Sequence, residues 1–191
     1  MLQARPSAPV FASQRTHLSS ALSYPVAMLM AEIGKACDGP AGAMGGRIAH
    51  ALCTAAATAD FLIPEWRIPR AGCYARHTIG SDPAGRFTLL AIVLAPGQFS
   101  PPHAHDTWCA YAVLESTLTE TLYTFDHASR KAVRAGASAR APGYACFAPA
   151  GLEQIHRLGN AGGVPAISIH AYGVEGSRIG THVNRLMDVS D

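Results

Sequence analysis

Charged residues are scarce in this chain, and neither sign of charge dominates. Only 15% of the 191 residues are Asp, Glu, Lys or Arg, against about 25% in an ordinary globular protein. The 15 Lys and Arg and the 13 Asp and Glu leave a formal net charge of +2. A balance this even offers no basic surface for nucleic acid or for an anionic membrane, so we expect neither as a partner.

Long apolar runs and paired cysteines are also missing. No apolar run reaches the roughly 18 residues of a membrane-spanning helix, and the most apolar N-terminal stretch, residues 22–33, is interrupted by Pro25. No compact basic segment precedes that stretch, so a signal peptide is not expected. The five cysteines are odd in number and include no C-x-x-C pair, which is not a disulfide framework. The sequence therefore predicts a cytoplasmic protein with free thiols, and it leaves open whether the protein is a monomer or a homo-oligomer.

Apolar residues recur every three or four positions near the N-terminus. This spacing predicts a helix that begins at Ser19 or Ser20 and ends near Cys37, and a second helix over residues 44–59. Proline and glycine at positions 64, 69 and 72 end the helical part. We expect residues 1–70 to form a helical extension that packs on a barrel of residues 71–191.

The apolar period changes to two after residue 72. Short segments rich in Val, Ile, Thr, Tyr and Leu lie at residues 73–79, 86–94, 108–114, 118–125, 144–147, 154–158 and 166–172. Strands at this spacing, with turn residues between them, favour an all-β sandwich or a small barrel. We expect residues 126–141 to form a surface hairpin and loop, and the charged residues of 115–140 to form an ordinary exposed face.

Three histidines are the candidate metal ligands. His103 and His105 are two residues apart, so in a strand both imidazoles point to one face. His156 is placed on a later strand, from which it could supply a third ligand. Three imidazoles suit iron, zinc, copper or nickel better than magnesium or calcium. The alternative interpretation is a surface pair of histidines without a metal.

Ser168, His170 and Tyr172 alternate along another predicted strand and therefore share a face. Buried polar groups need partners, so a chain of hydrogen bonds through the three would satisfy them. That chain could serve catalysis or could be a structural polar network. An arginine such as Arg76 is ordinarily a surface residue, and Cys109 is ordinarily a small apolar wall residue. We expect the other four cysteines to be core thiols.

Two stretches of the chain resemble the paired sequence motifs of the cupin superfamily. One surrounds His103 and His105 and the other surrounds His156. Most cupins place a glutamate ligand where this chain has Cys109 and Ala110. The resemblance therefore implies three neutral histidine ligands without a carboxylate.

Further stretches resemble the thiol dioxygenases, the family of cysteine dioxygenase type I. They are Tyr74-Ala-Arg76, Gln154-Ile-His-Arg-Leu-Gly-Asn160 and Ser168-Ile-His170-Ala-Tyr172-Gly, and the resemblance covers about residues 60–175. It implies a mainly β fold, a cupin double-stranded β-helix (jelly-roll) barrel with an N-terminal helical region. It also implies that Fe²⁺ is held by His103, His105 and His156, and that L-cysteine is oxidised by O₂ to cysteine sulfinic acid.

The resemblance assigns the remaining roles. Arg76, with Tyr74 beside it, would bind the substrate carboxylate, and Tyr172 would act at the metal-bound substrate, oriented by His170 and Ser168. Cys109 approximates the cysteine that in some members is joined to the tyrosine by a thioether. Three alternatives stay open: a dioxygenase for 3-mercaptopropionate or another small thiol, for which Arg178 and Arg185 would be candidates as the substrate anchor; a non-catalytic cupin that binds a small carboxylate; and another metal-dependent cupin enzyme, such as an isomerase.

Overall fold

The computed structural model describes residues 23–190 of the chain, so the predicted start of the first helix at Ser19 or Ser20 lies outside the described residues. Two helices come first, α1 (Tyr24–Cys37) and α2 (Ala41–Ala56). Ten strands follow: β1 (Ala75–Ser81), β2 (Thr88–Leu94), β3 (His103–His105), β4 (Cys109–Glu115), β5 (Leu118–Asp126), β6 (Lys131–Arg140), β7 (Ala145–Ala148), β8 (Gly151–Gly159), β9 (Ala166–Tyr172) and β10 (Asn184–Leu186).

The strands form two antiparallel sheets with a jelly-roll topology. One sheet has the order β1-β2-β9-β4-β7 and the other the order β10-β3-β8-β5-β6. The eight strands β2 to β9 thus make two interleaved four-stranded halves, which is the double-stranded β-helix. The predicted fold class, a mainly β jelly-roll barrel with an N-terminal helical region, is confirmed.

The two helices cover the outer face of the first sheet. Their apolar stripes, which include Ile33 and Leu52, are buried in one cluster with strand residues such as Leu89 and Ile169. Side chains alternate between faces along a strand, so the helix-covered face takes the apolar set and the opposite face points into the barrel. The division of the chain at residue 70 stays a prediction.

The C-terminal segment closes the second sheet. Strand β10 pairs with β3, placing Asn184 opposite His105 and Leu186 opposite His103. Beyond β10, Val189 bridges to Ala132 on β6. This segment contributes no strand to the eight-stranded jelly roll, yet it lies directly beside the two histidines of β3.

Two expectations about local structure are wrong in part. The surface hairpin expected over residues 126–141 is present, but residues 131–140 are not loop: they form strand β6, which pairs with the whole of β5. Strand β6 is an edge strand with most of its side chains in solvent, so its composition carries no apolar alternation. Cys53 and Cys73 are exposed rather than core thiols, because they lie on a solvent-facing side of α2 and in the linker before β1.

Within residues 23–190, no helix combines the length and the apolar composition needed to cross a bilayer.

Candidate metal centre

Three histidine side chains converge inside the barrel, from two neighbouring strands. His103 and His105 come from β3, and His156 lies directly opposite His103 on β8. Their ligand atoms all lie within 4.8 Å of one another, and all three side chains are buried. Among the described residues, these are the side chains placed to share one ion.

Each of the three rings keeps a nitrogen free for a ligand. His103 Nδ1 lies 2.8 Å from the carbonyl oxygen of Pro101, to which it donates as an N–H. His156 Nδ1 lies 2.8 Å from Glu120 Oε1, so its Nε2 carries the lone pair. The Nε2 atom of His105 is buried and has no hydrogen-bond partner. A buried nitrogen without a partner is costly, and a metal ion at this point would satisfy it. The residues present therefore fit a metal.

Burial keeps two of these rings neutral. Desolvation, assisted by His156, lowers the pKa of His103 to about 3. Desolvation, assisted by His103 and His156, lowers the pKa of His105 to about 2. Neutral imidazoles offer lone pairs without first losing a proton, and such a donor set suits first-row transition metals.

Sequence reasoning missed Glu120, which it placed on an exposed face. The side chain is buried, with 4% of its surface exposed. Its Oε1 accepts the hydrogen bond from His156, and its Oε2 lies 2.7 Å from Arg140 Nε. Burial raises the pKa of Glu120, but the hydrogen bonds with His156 and Arg140 and the charge of Arg140 outweigh burial and lower it. The group is therefore a carboxylate that fixes the tautomer of His156, the usual partner of a metal-binding imidazole.

A cleft leads to the metal centre, with a volume of about 380 Å³ that includes its open mouth. His103 and His156 line it, together with Tyr74 and Arg76. Arg76 lies on β1 opposite Ile92, and its Nη2 donates to the carbonyl oxygen of Ile179 at 3.3 Å. Burial raises the pKa of Tyr74, which keeps its phenol protonated. The structure thus brings both predicted substrate-binding residues to the same opening as two of the histidines.

Two members of the predicted trio on β9, His170 and Tyr172, also line this cleft, and Ser168 lies behind them as a partner of His170. Ser168 Oγ lies 2.8 Å from His170 Nε2, and Tyr172 Oη lies 3.3 Å from His170 Nδ1. Desolvation lowers the pKa of His170 well below its ordinary value, and the positive charge of Arg76 lowers it further. The neutral ring donates through one nitrogen and accepts through the other. The ring of Tyr172 lies 5.9 Å from that of His105, so the phenol is beside the metal centre.

Cys109 lies directly opposite Tyr172 across β4 and β9. Burial raises the pKa of the Cys109 thiol and that of the Tyr172 phenol well above their ordinary values, and the two side chains interact. The C-terminal arginines lie elsewhere. Arg185 Nη2 is 2.6 Å from Asp106 Oδ1 on the surface, and the described lining of the cleft includes neither Arg185 nor Arg178.

No family model matches the chain. Among solved structures, it is similar to a conserved protein with a double-stranded β-helix domain from Klebsiella pneumoniae, at 18% identity over 69% of this chain and 98% of that one, with a TM-score of 0.48. It is also similar to an RmlC-like cupin family protein from Methanocaldococcus jannaschii, at 11% identity over 60% and 94% of the two chains, with a TM-score of 0.42. A third is a cupin-superfamily sugar phosphate isomerase from Silicibacter pomeroyi, at 23% identity over 46% and 50%, with a TM-score of 0.36. Nothing about the activity of this chain follows from similarity at this level.

Replacing the buried carboxylate should weaken metal binding. Glu120→Gln keeps an oxygen that accepts from His156 but removes the negative charge, so we expect the affinity for Fe²⁺ to fall by about ten- to a hundredfold. Competition with a coloured chelator under argon measures it. Glu153→Gln, an exposed glutamate on the same strand as His156, is the matched control. Equal affinities in the two variants would contradict the role given to Glu120.

Proposed function

We propose that this chain is an Fe²⁺-dependent thiol dioxygenase that oxidises L-cysteine with O₂ to cysteine sulfinic acid. The observation that carries the proposal is the combination found in one cleft. His103 and His156 line it beside a single cation, Arg76, and a buried phenol, Tyr172, and His105 completes a histidine group that has no carboxylate among its ligand atoms. This is the donor set and the pair of substrate contacts that the resemblance to the thiol dioxygenases implies.

The proposed metal ligands favour an anionic sulfur. His103, His105 and His156 bring no negative charge to the ion, so its positive charge attracts a thiolate. Glu120, the nearest described carboxylate, is hydrogen-bonded to His156 and Arg140, which leaves it engaged outside the ligand set. When bound, Fe²⁺ supplies the binding of thiolate and of O₂ and the electron transfer between them.

Arg76 is the proposed anchor of the substrate carboxylate. The cleft walls around it include the apolar side chains Ile92, Leu94 and Leu158, which exclude water and strengthen a charged contact. A guanidinium stays charged and binds a carboxylate through two parallel hydrogen bonds. The hydrogen bond that Arg76 Nη2 donates to the carbonyl oxygen of Ile179 holds the guanidinium in the cleft. Arg76 thus fixes the carboxylate end, and the thiolate end points at the histidines.

Tyr172 is the proposed hydrogen-bond donor at the reacting sulfur and oxygen atoms. Its raised pKa keeps the phenol protonated at neutral pH, so it can donate without placing a charge in a dry site. His170 orients the hydroxyl, and Ser168 orients His170. The thioether between Cys109 and Tyr172 stays a prediction. Forming it would break the S–H bond of Cys109 and one ring C–H bond of Tyr172 and join sulfur to that carbon, with O₂ taking up the two hydrogen atoms as H₂O₂.

The function is tested by oxygen uptake with a panel of small thiols. Iron-loaded protein should consume O₂ with L-cysteine, with the sulfinate as product by mass spectrometry. His103→Ala should lose iron and oxygen uptake while its circular dichroism stays unchanged, whereas His50→Ala, which changes an exposed histidine, should retain both. A folded protein that binds iron and oxidises no thiol would reject the proposal in favour of a non-catalytic cupin or a different enzyme.

Removing the guanidinium should damage turnover of substrates that carry a carboxylate. We expect Arg76→Ala to reduce kcat/KM for L-cysteine by about a hundredfold, since a charged contact in a desolvated pocket is lost. Cysteamine has no carboxylate, so it should be a poor substrate that loses little in the variant. Arg185→Ala, which breaks a surface ion pair, is the control. If that control removed cysteine turnover while Arg76→Ala preserved it, the anchor would lie in the C-terminal segment.

The hydroxyl of Tyr172 should matter for rate rather than for folding. Tyr172→Phe keeps the ring and its packing, so we expect an unchanged melting temperature and a kcat lower by about ten- to a thousandfold. His170→Gln should also lower kcat, but by less, because His170 only orients the hydroxyl of Tyr172. Stopped-flow and steady-state oxygen consumption measure both variants. A kcat in Tyr172→Phe equal to that of the unsubstituted protein would show that Ser168, His170 and Tyr172 form a structural network.

A further inference from the structure

The side chain of Asn184 reaches the cleft from the C-terminal segment. Asn184 begins β10 and lies directly opposite His105 on β3, and paired residues of neighbouring strands point to the same face. It lines the cleft together with Arg76 and Tyr172. Its Oδ1 atom is buried and has no hydrogen-bond partner. The cleft therefore contains a hydrogen-bond acceptor that the described protein groups leave unsatisfied.

Three other polar side chains of the cleft already have hydrogen-bond partners within the protein. Ser100 Oγ accepts from the backbone N–H of Leu158 at 3.1 Å. His170 binds Ser168 and Tyr172, and the residues that line the cleft in the described structure include no Asp or Glu. A substrate that brings hydrogen-bond donors thus meets a neutral acceptor that has no protein partner, Asn184 Oδ1.

We propose that Asn184 is a specificity-determining residue that accepts a hydrogen bond from the α-amino group of the substrate. This inference rests on the proposed function and narrows its substrate class to thiols that carry both a carboxylate and an adjacent amine. Arg76 binds the carboxylate, and Asn184 binds an N–H whether the amine is free or bound to the metal. A thiol without the amine leaves Oδ1 unpaired in a buried site, which penalises it.

The C-terminal segment supports both contacts at once. The carbonyl oxygen of Ile179 holds Arg76, and Asn184 follows five positions later in the same segment. The backbone of Asn184 is fixed by pairing of β10 with β3, so replacing the side chain leaves its placement intact. This permits a test by substitution without loss of the strand.

The experiment compares L-cysteine with 3-mercaptopropionate, which differs only by lacking the amine. For iron-loaded protein, kcat/KM is measured for both thiols, and Kd is measured by calorimetry under argon. We expect Asn184→Leu, which matches the side chain in size, to reduce the cysteine-to-mercaptopropionate ratio of both quantities by about tenfold or more. Asn184→Asp keeps an acceptor at this position and should retain the preference for L-cysteine. Asn184→Ala serves as a second loss variant if Asn184→Leu proves unstable on melting.

The outcomes separate this inference from the proposed function. An unchanged ratio in Asn184→Leu and Asn184→Ala, or an equal loss for both thiols, overturns the role of Asn184 even if the protein is a thiol dioxygenase. A protein that oxidises neither thiol fails the proposed function. In that case a calorimetric preference for L-cysteine, lost in Asn184→Leu and kept in Asn184→Asp, would still support recognition of the amine, and the absence of that pattern would reject it.

Discussion

The register of β3 against β8 is the constraint on which the site depends. Because His103 lies opposite His156, and because His103 and His105 share a face, three imidazoles meet at one point inside the barrel. A shift of one residue would turn a whole strand inside out and send its histidines to the opposite face. The register is held by an outward-facing cluster that includes Ala104 on β3 and Ile155 on β8. Apolar packing on the outer face of the sheet thus positions the three histidine side chains on its inner face.

The two faces of the first sheet lie in different environments. The outer face of the first sheet is packed against α1 and α2, and its inner face carries the trio that ends in Tyr172. Buried polar groups are expensive, and here nearly every one is satisfied by a neighbour within the site. The carboxylate of Glu120 is held between a histidine and an arginine, which lets a charge lie in the interior. Of the buried side-chain atoms without a partner in the described residues, His105 Nε2 and Asn184 Oδ1 lie where a ligand would bind.

The sequence predicted the strands that have an apolar side, because burial imposes a period of two on them. It also predicted that His103 and His105 share a face, since that follows from a spacing of two within one strand. The resemblance to the cupin motifs, rather than spacing, added His156, and the three do meet. Strand β6 escaped prediction because an exposed edge strand obeys no apolar period. Glu120 escaped for a different reason: it sits between threonines in a stretch with several charges, although its alternation with Leu118 and Leu122 was a usable signal. Asn184 lies on a strand of three residues, and no local pattern marks it.

Because β10 lies outside the jelly roll, substitutions in the C-terminal segment and substitutions in the barrel strands have different consequences. The eight barrel strands carry the histidines and most of the buried core, so substitutions there disturb folding and metal chemistry together. The C-terminal segment has mostly exposed or half-buried side chains, and yet it contributes a side chain and a backbone carbonyl to the cleft. Under the role proposed for Asn184, selectivity would therefore change through substitutions in this surface segment that leave the barrel strands intact. One scaffold of this kind could give rise to descendants that share a reaction and differ in the molecule they accept.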